Sequence, residues 1–405
     1  MIRKIAFLIA ALSIVALVSG REAFAAPRPI QISKEIIKEA PPPKAGMTWF
    51  EEYQKEKQEL KDQCGTSYAV LANYQQEVLL NSYHYQGHSL GAWYYNVDFQ
   101  QDLWKGAWMV AELEGGAGKG IDKYVPTFSV FDSSAGEKSL AYMPIFMLGQ
   151  NFLDDRIYFA GGKLDLSDWF DMNDVANSGD MQFMSSSLVN NLTIPFPQKG
   201  LGFVAGAWLT DWMYAQYGIS NAAAKAETIG LSKGLTESFS MAEAGFTPTI
   251  CGRKGTYRFM FRFNRQRLDF VDGTGEQYGD TGFALSCDQK VTDRCTVFGR
   301  YGFADPKVRK IWNFWSCGVR LDKPFSFRKN DVLAFAVAQS LMGDEYRHTA
   351  DPKSAAAETM FEAYYSIDLG GYLFVTPDIK VVLDPYADRK APANVVFGVR
   401  AVALF

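Results

Sequence analysis

Charged side chains recur in this sequence at two- and four-residue intervals with rings between them. Arg258 and Arg262 alternate with Tyr257, Phe259, Phe261 and Phe263, and Glu358 and Glu362 alternate with Phe361 and Tyr365. Asp98, Glu112, Arg320 and Arg400 are each flanked by apolar neighbours in the same way. Guanidinium and carboxylate groups gathered in one narrow space offer both hydrogen-bond polarities. Trp108 and Trp169 would add flat apolar faces. Such a set suits a solute rich in hydroxyls with an apolar C–H side. Enzyme chemistry is poorly served. The only histidines are His84, His88 and His348, and none stands in a nucleophile or metal motif. Glu114–Gly120 (EGGAGKG) lacks the first glycine and the hydroxyl after Lys119 that a phosphate loop needs. No cysteine or histidine spacing fits zinc. The expectation is a chain without catalytic residues, cofactor or metal.

The elements that must position these charges are strands, because a two-residue period places alternate side chains on opposite faces. Sixteen strands can be placed, centred near Leu71, Tyr95, Met109, Phe146, Tyr158, Val204, Tyr214, Ala244, Phe259, Ala284, Phe298, Gly318, Phe335, Ala363, Val375 and Phe397. That leaves roughly twenty residues per strand and connection, which fits a transmembrane barrel. The connections mostly alternate in length. Residues 103–106, 154–155, 210–211, 251–254, 291–294 and 370–371 make tight turns, whereas 115–142, 166–200, 222–237, 265–280, 343–357 and 385–393 are long. Short periplasmic turns and longer external loops are the barrel's signature. An Arg facing lipid at mid-membrane costs about 2–4 kcal/mol, so Arg258 and Arg262 belong inside and their ring-bearing neighbours outside. The same parity puts Arg320, Arg400, Glu112, Glu358, Glu362, Asp98 and Lys380 on the interior wall. The fold class expected is all-β, an antiparallel transmembrane barrel of about 16 strands with a pore-constricting loop.

Residues 1–25 have the form of a secretory signal: Arg3 and Lys4, an apolar run over 5–18, then Ala23-Phe24-Ala25. Residues 26–64 read as a periplasmic lead-in, Pro-rich at first and then a short exposed helix over 49–63; the barrel takes 65–405. No interior run approaches the roughly 18 consecutive apolar residues of a spanning helix. A formal charge of −4 without a basic tract argues against nucleic acid as a partner. The expected partners are outer-membrane lipid and, through a last strand ending on Phe405, the barrel-assembly machinery. Five cysteines are an odd number for full internal pairing. Cys287 and Cys295 flank the turn at 291–294 on the lipid-side parity; a cross-strand disulfide is one reading and free thiols are the other.

The segment after Gly161-Gly162-Lys163-Leu164-Asp165 runs DWFDMNDVANSGDMQFMSSSLVNN into Ile194-Pro195-Phe196-Pro197. A loop this long and this aromatic folds against something, and in a wide barrel the available surface is the lumen wall. This stretch resembles the strand end and pore loop of OprB-type carbohydrate-selective porins. The last hairpin and strand are similar to theirs through Glu362, Tyr364, Tyr365, Thr376, Pro377, Asp378, Asp384, Pro385, Phe397, Gly398 and Arg400. The chain departs from that pattern in its five cysteines and in Lys380. The resemblance implies a sixteen-stranded bacterial outer-membrane barrel that admits carbohydrate solutes by passive diffusion. Candidate lumen or constriction residues are Arg258, Arg262, Arg320, Arg400, Glu112, Glu358, Glu362, Asp98, Asp171, Trp108 and Trp169. An anion- or phosphate-selective or general porin is the nearest alternative; a barrel enzyme or a non-conducting structural barrel is more remote.

Overall fold

A computed structural model describes residues 49–82, 85–135, 139–230, 233–349 and 354–405. The expected signal sequence over residues 1–25, residues 26–48 and His84 lie outside the described residues. The strands are β1(Thr66–Asn81), β2(Ser89–Trp104), β3(Ala107–Gly118), β4(Tyr142–Phe152), β5(Ile157–Leu164), β6(Gly200–Trp208), β7(Met213–Asn221), β8(Ser238–Phe246), β9(Thr249–Ile250), β10(Arg253–Asp269), β11(Glu276–Lys290), β12(Cys295–Ala304), β13(Ile311–Asp322), β14(Val332–Met342), β15(Ala357–Asp368), β16(Leu373–Leu383) and β17(Asn394–Leu404). Strand β9 is a two-residue ribbon against Arg253 and Lys254. The other sixteen form the wall, each antiparallel to the next, and β1 closes on β17 with Val78 opposite Phe397. Closure leaves no strand edge unpaired, which a sheet in lipid requires. All sixteen sequence-based strand centres fall inside these strands.

The faces follow the expected parity. Phe259, Phe261 and Phe263 are 50%, 49% and 42% exposed on the outside, whereas Arg258 and Arg262 are 9% and 2% exposed on the inside. No described helix is long and apolar enough to cross a membrane; the strands do the crossing.

Short connections gather at one rim (105–106, 153–156, 209–212, 291–294, 369–372) and longer ones at the other (119–141, 165–199, 222–237, 343–356, 384–393). Residues 265–280 differ from the expected long loop. Strands β10 and β11 continue through a bulge between Asn264 and Arg267, and Arg267 pairs with Glu276, so only 270–275 remain as connection. Arg267 and Glu276 form an ion pair across this ribbon.

The interior is largely filled. Phe131, Val175, Ala176, Phe183 and Leu188, from the two long loops, pack on Phe298, Phe314, Ala334, Ala336, Ala338 and Val396 of the wall. Leu166, Trp169, Phe170 and Ile194 pack on Met147, Val204, Met241, Met260 and Ala284. The small lumen-side residues of β14 leave the room these loops take.

The helix Trp49–Cys64 is largely exposed as expected, Lys57 being its one buried residue, and its aromatic stripe touches the short-turn rim. Trp49 meets Tyr372 at 5.1 Å and Phe405 at 6.4 Å, and the Lys57 ammonium lies 4.8 Å over Tyr68. It therefore straddles the seam between β1 and the last strands. The disulfide reading fails on register. Cys287 lies opposite Gly299, and Cys295 pairs with Leu321 on the other side. Four residues of strand separate the two thiols, about 13 Å, beyond disulfide reach, and all five cysteines are free.

Because Phe261 is on the outer face, Phe261→Arg is expected to lower the free energy of unfolding by about 2–4 kcal/mol, read as a lower urea midpoint in lipid vesicles. An unchanged midpoint would place that position away from the acyl chains.

Candidate functional site

The candidate site is the bore where residues 165–199 fold inward. The loop leaves β5 through Lys163, whose Nζ donates to the carbonyls of Met143 and Ala226 at 2.7 and 2.6 Å. Asp165 then caps a short 3-10 turn by accepting from the Ser167 N–H at 2.8 Å. Trp169 stacks on Tyr158 with 5.7 Å between ring centres and 15° between planes. These local devices turn the chain from the wall into the lumen.

Wall charges then hold it. Arg300 Nε donates to Asp171 Oδ1 at 3.1 Å, Nη2 to the Asp171 carbonyl at 2.9 Å and Nη1 to the Leu188 carbonyl at 2.7 Å. Asp171 also accepts the Asn191 N–H at 2.8 Å, which folds the loop back on itself. Glu362 accepts the N–H groups of Met184 and Ser185 at 2.6 and 3.0 Å. Arg400 donates to the Gln182 carbonyl at 2.9 Å, and Arg262 to that of Thr193, also at 2.9 Å. Hydrogen bonds to charged groups contribute about 1.5–3 kcal/mol each.

The loop at 119–141 is held by the same means. Glu358 accepts from Phe128 N at 3.0 Å, Ser129 N at 2.7 Å and Tyr386 N at 2.6 Å, while Glu77 accepts from Ile121 N at 3.2 Å. The two loops also join each other, Ser133 N donating to the Met184 carbonyl at 2.8 Å. Lys380 Nζ sits between Glu77 at 2.8 Å and Asp378 at 3.0 Å. Within the loops, burial pushes the Asp171 carboxyl up while Arg300 pulls it back. Burial, with Glu77 nearby, pushes Asp132 up to about 8.

The eleven expected residues therefore divide by what they touch. Arg262, Arg400, Glu358, Glu362 and Asp171 hold loop backbone or side chain. Arg258 is paired with Asp288 at 2.9 Å. Asp98 lies opposite Glu112 across β2 and β3, beside Lys199, whose Nζ reaches Glu112 and Glu114 at 3.1 Å each. Arg320 pairs with Asp322 at 2.9 Å and stays partly exposed. Trp108 lies across Gly149 and donates to Asn151 Oδ1 at 3.3 Å, and Trp169 is buried on Tyr158. Sequence reasoning missed Glu77, Asp280, Asp288 and Lys199 as members of the set. The first three show lumen-side parity in their strands; Lys199 has no periodic signal. Among the described residues no group of three or more His, Cys, Asp or Glu could hold a metal.

A closed barrel of sixteen strands, with a bore narrowed by an inward-folded loop and a polar wall, is an outer-membrane porin. Its place is the bacterial outer membrane, and its fold is that of a channel. The model of the carbohydrate-selective porin, OprB family, matches residues 101–405, and the chain belongs to that family. The OprB structure of Pseudomonas putida at high pH superposes with a TM-score of 0.76 at 16% identity, covering 87% of this chain and 97% of that one. The outer-membrane channel DcaP of Acinetobacter baumannii gives 0.53 at 10% identity over 84% and 97%. In sequence, the chain is 24% identical over 265 residues to Porin AaxA of Chlamydia trachomatis serovar L2, covering 63% of this chain and 54% of that protein. The chain thus spans about half the length of that relative.

Removing Glu362 by Glu362→Ala strips the Met184 and Ser185 N–H groups of their acceptor, at about 1–3 kcal/mol for each group left unpaired. The expected result is a larger and noisier single-channel conductance as the loop loosens. Wild-type conductance in that variant would show that the carboxylate does not hold the loop.

Proposed function

We propose that this porin admits small neutral carbohydrates by passive diffusion and carries out no catalysis. The observation that carries the reading is the matching of the interior charges. Arg258, Arg262 and Arg300 are each committed to a carboxylate, at 2.9, 2.8 and 3.1 Å. A wall of this kind offers donors and acceptors in alternation without a bare cationic stripe. Hydroxyl-rich solutes can exchange hydrogen bonds with water along such a wall, and conduction needs sites weak enough to release. Membership of the carbohydrate-selective porin family supports the same class of solute.

In this reading Asp98, Glu112, Lys199 and Arg320 border the solute path, while the loop-holding residues set its width and Trp108 and Trp169 stiffen its wall. Residues 1–25 direct export, 26–64 lie on the periplasmic side, and the strand ending at Phe405 is the handle for barrel assembly. The rival is an anion or phosphate porin. The committed arginines weigh against it, since a paired guanidinium attracts an anion less than a bare one.

The test is reconstitution in a planar bilayer with sugars as blockers. The expected outcome is weak ion selectivity with ion current reduced by mono- or disaccharides. Strong anion selectivity, with current untouched by any sugar in the panel, would overturn the proposal.

A further inference from the structure

Two successive lumen-side rows run across β5 to β10 between the inward loop and the short-turn rim. The upper row is Tyr158, Gly206, Gln216 and Glu243; the lower is Trp208, Tyr214, Gly245 and Arg258. The glycines let long side chains lie flat across the neighbouring strand. A Cβ at Gly206 would fall 2.2 Å from the Tyr158 hydroxyl oxygen, and one at Gly245 2.1 Å from the Tyr214 ring. Tyr158 donates to Gln216 Oε1 at 2.6 Å, Gln216 donates to Glu243 Oε1 at 3.0 Å and to the Trp169 carbonyl at 2.6 Å, and Tyr214 donates to Glu243 Oε1 at 2.7 Å. Trp208 leans on Tyr214 with ring centres 5.1 Å apart.

Within this one network four polar atoms have no hydrogen-bond partner: Trp208 Nε1, Trp169 Nε1, Glu243 Oε2 and Arg258 Nε. Three are donors and one is a carboxylate oxygen, and Glu243 and Arg258 are themselves more than nine-tenths buried. Buried polar atoms are ordinarily paired, so four orphans in one patch mark a place where a partner is to be supplied. Trp208 is the member of the lower row that keeps partial exposure. Its ring is what a solute leaving the constriction toward the short-turn rim would meet.

We propose that Trp208, backed by Tyr214, Glu243 and Arg258, forms a weak binding subsite for a neutral pyranose on the short-turn side of the inward loop. The proposal deepens the carbohydrate reading and rests on it. An aromatic face receives the apolar C–H side of a sugar ring. Indole and guanidinium N–H groups donate to its hydroxyl oxygens, and Glu243 accepts from a hydroxyl. Arg258 stands between two carboxylates, Glu243 and Asp288. A phosphorylated or acidic sugar would therefore meet negative charge there, and a neutral one would not.

The test compares full-length wild type with Trp208→Ala and Trp208→Phe in planar bilayers, with glucose and maltose as blockers of ion current. Loss of the ring is expected to raise the half-blocking concentration roughly three- to tenfold. Trp208→Phe retains a ring but loses the N–H, so it should lie between the two. Equal block of wild type and Trp208→Ala overturns the subsite while leaving sugar passage intact. Absence of block in the wild type overturns both. If Trp208→Ala yields no channels, Trp208→Phe decides, and block at the wild-type concentration in that variant overturns the subsite.

Discussion

The structure depends on one constraint: a loop that enters a barrel at membrane depth carries backbone N–H and C=O groups that bulk water cannot reach. Each such group left unpaired is costly. Here the wall supplies the partners. Carboxylates at Glu77, Glu358 and Glu362 take loop N–H groups, and guanidinium groups at Arg262, Arg300 and Arg400 take loop carbonyls. An ionised side chain is well suited to this, because one carboxylate accepts several N–H bonds and one guanidinium donates to several carbonyls.

That use of charge changes what the interior is. A lumen bordered only by ions and water would be wide. This one is part polar wall and part dry packing, since the same loops bury Phe131, Phe183 and Leu188 against alanines of β14. The dry contacts supply area and the ionic contacts supply position. A greasy loop alone could slide along an alanine surface, whereas Glu362 fixes the Met184–Ser185 backbone to within a hydrogen bond.

The fold was legible in the sequence because its signal is local. Alternation over ten residues needs only the residues themselves, and the cost of an outward Arg258 fixes which face is which. The site was legible only in part. The parity of Arg400 or Glu358 says that it points inward, not that it meets Gln182 or Ser129 more than two hundred positions away. Those partners lie in loops whose conformation follows no period. Of the two cysteine readings, the disulfide fails and free thiols stand. Cys287 lies four residues before the turn at 291–294 and Cys295 only one after it, so the two are not equidistant from the hairpin axis and Cys287 faces Gly299. Equal spacing from the turn, not merely a place on either side of it, decides which residues meet.

Lys380 shows how the two levels join. It departs from the family resemblance, and by composition alone a fully buried lysine is a liability. Burying an isolated ammonium costs several kcal/mol. Yet the carboxylates around it are not optional: Glu77 holds one inward loop and Glu362, within electrostatic reach of the ammonium, holds the other. Asp378 lies beside them over Gly398, where any larger residue would collide with its carboxylate. Three acids gathered in so small a space repel one another unless a cation stands among them. Lys380 is that cation, so one charge that touches neither loop backbone steadies an anchor of each loop, Glu77 for one and Glu362 for the other.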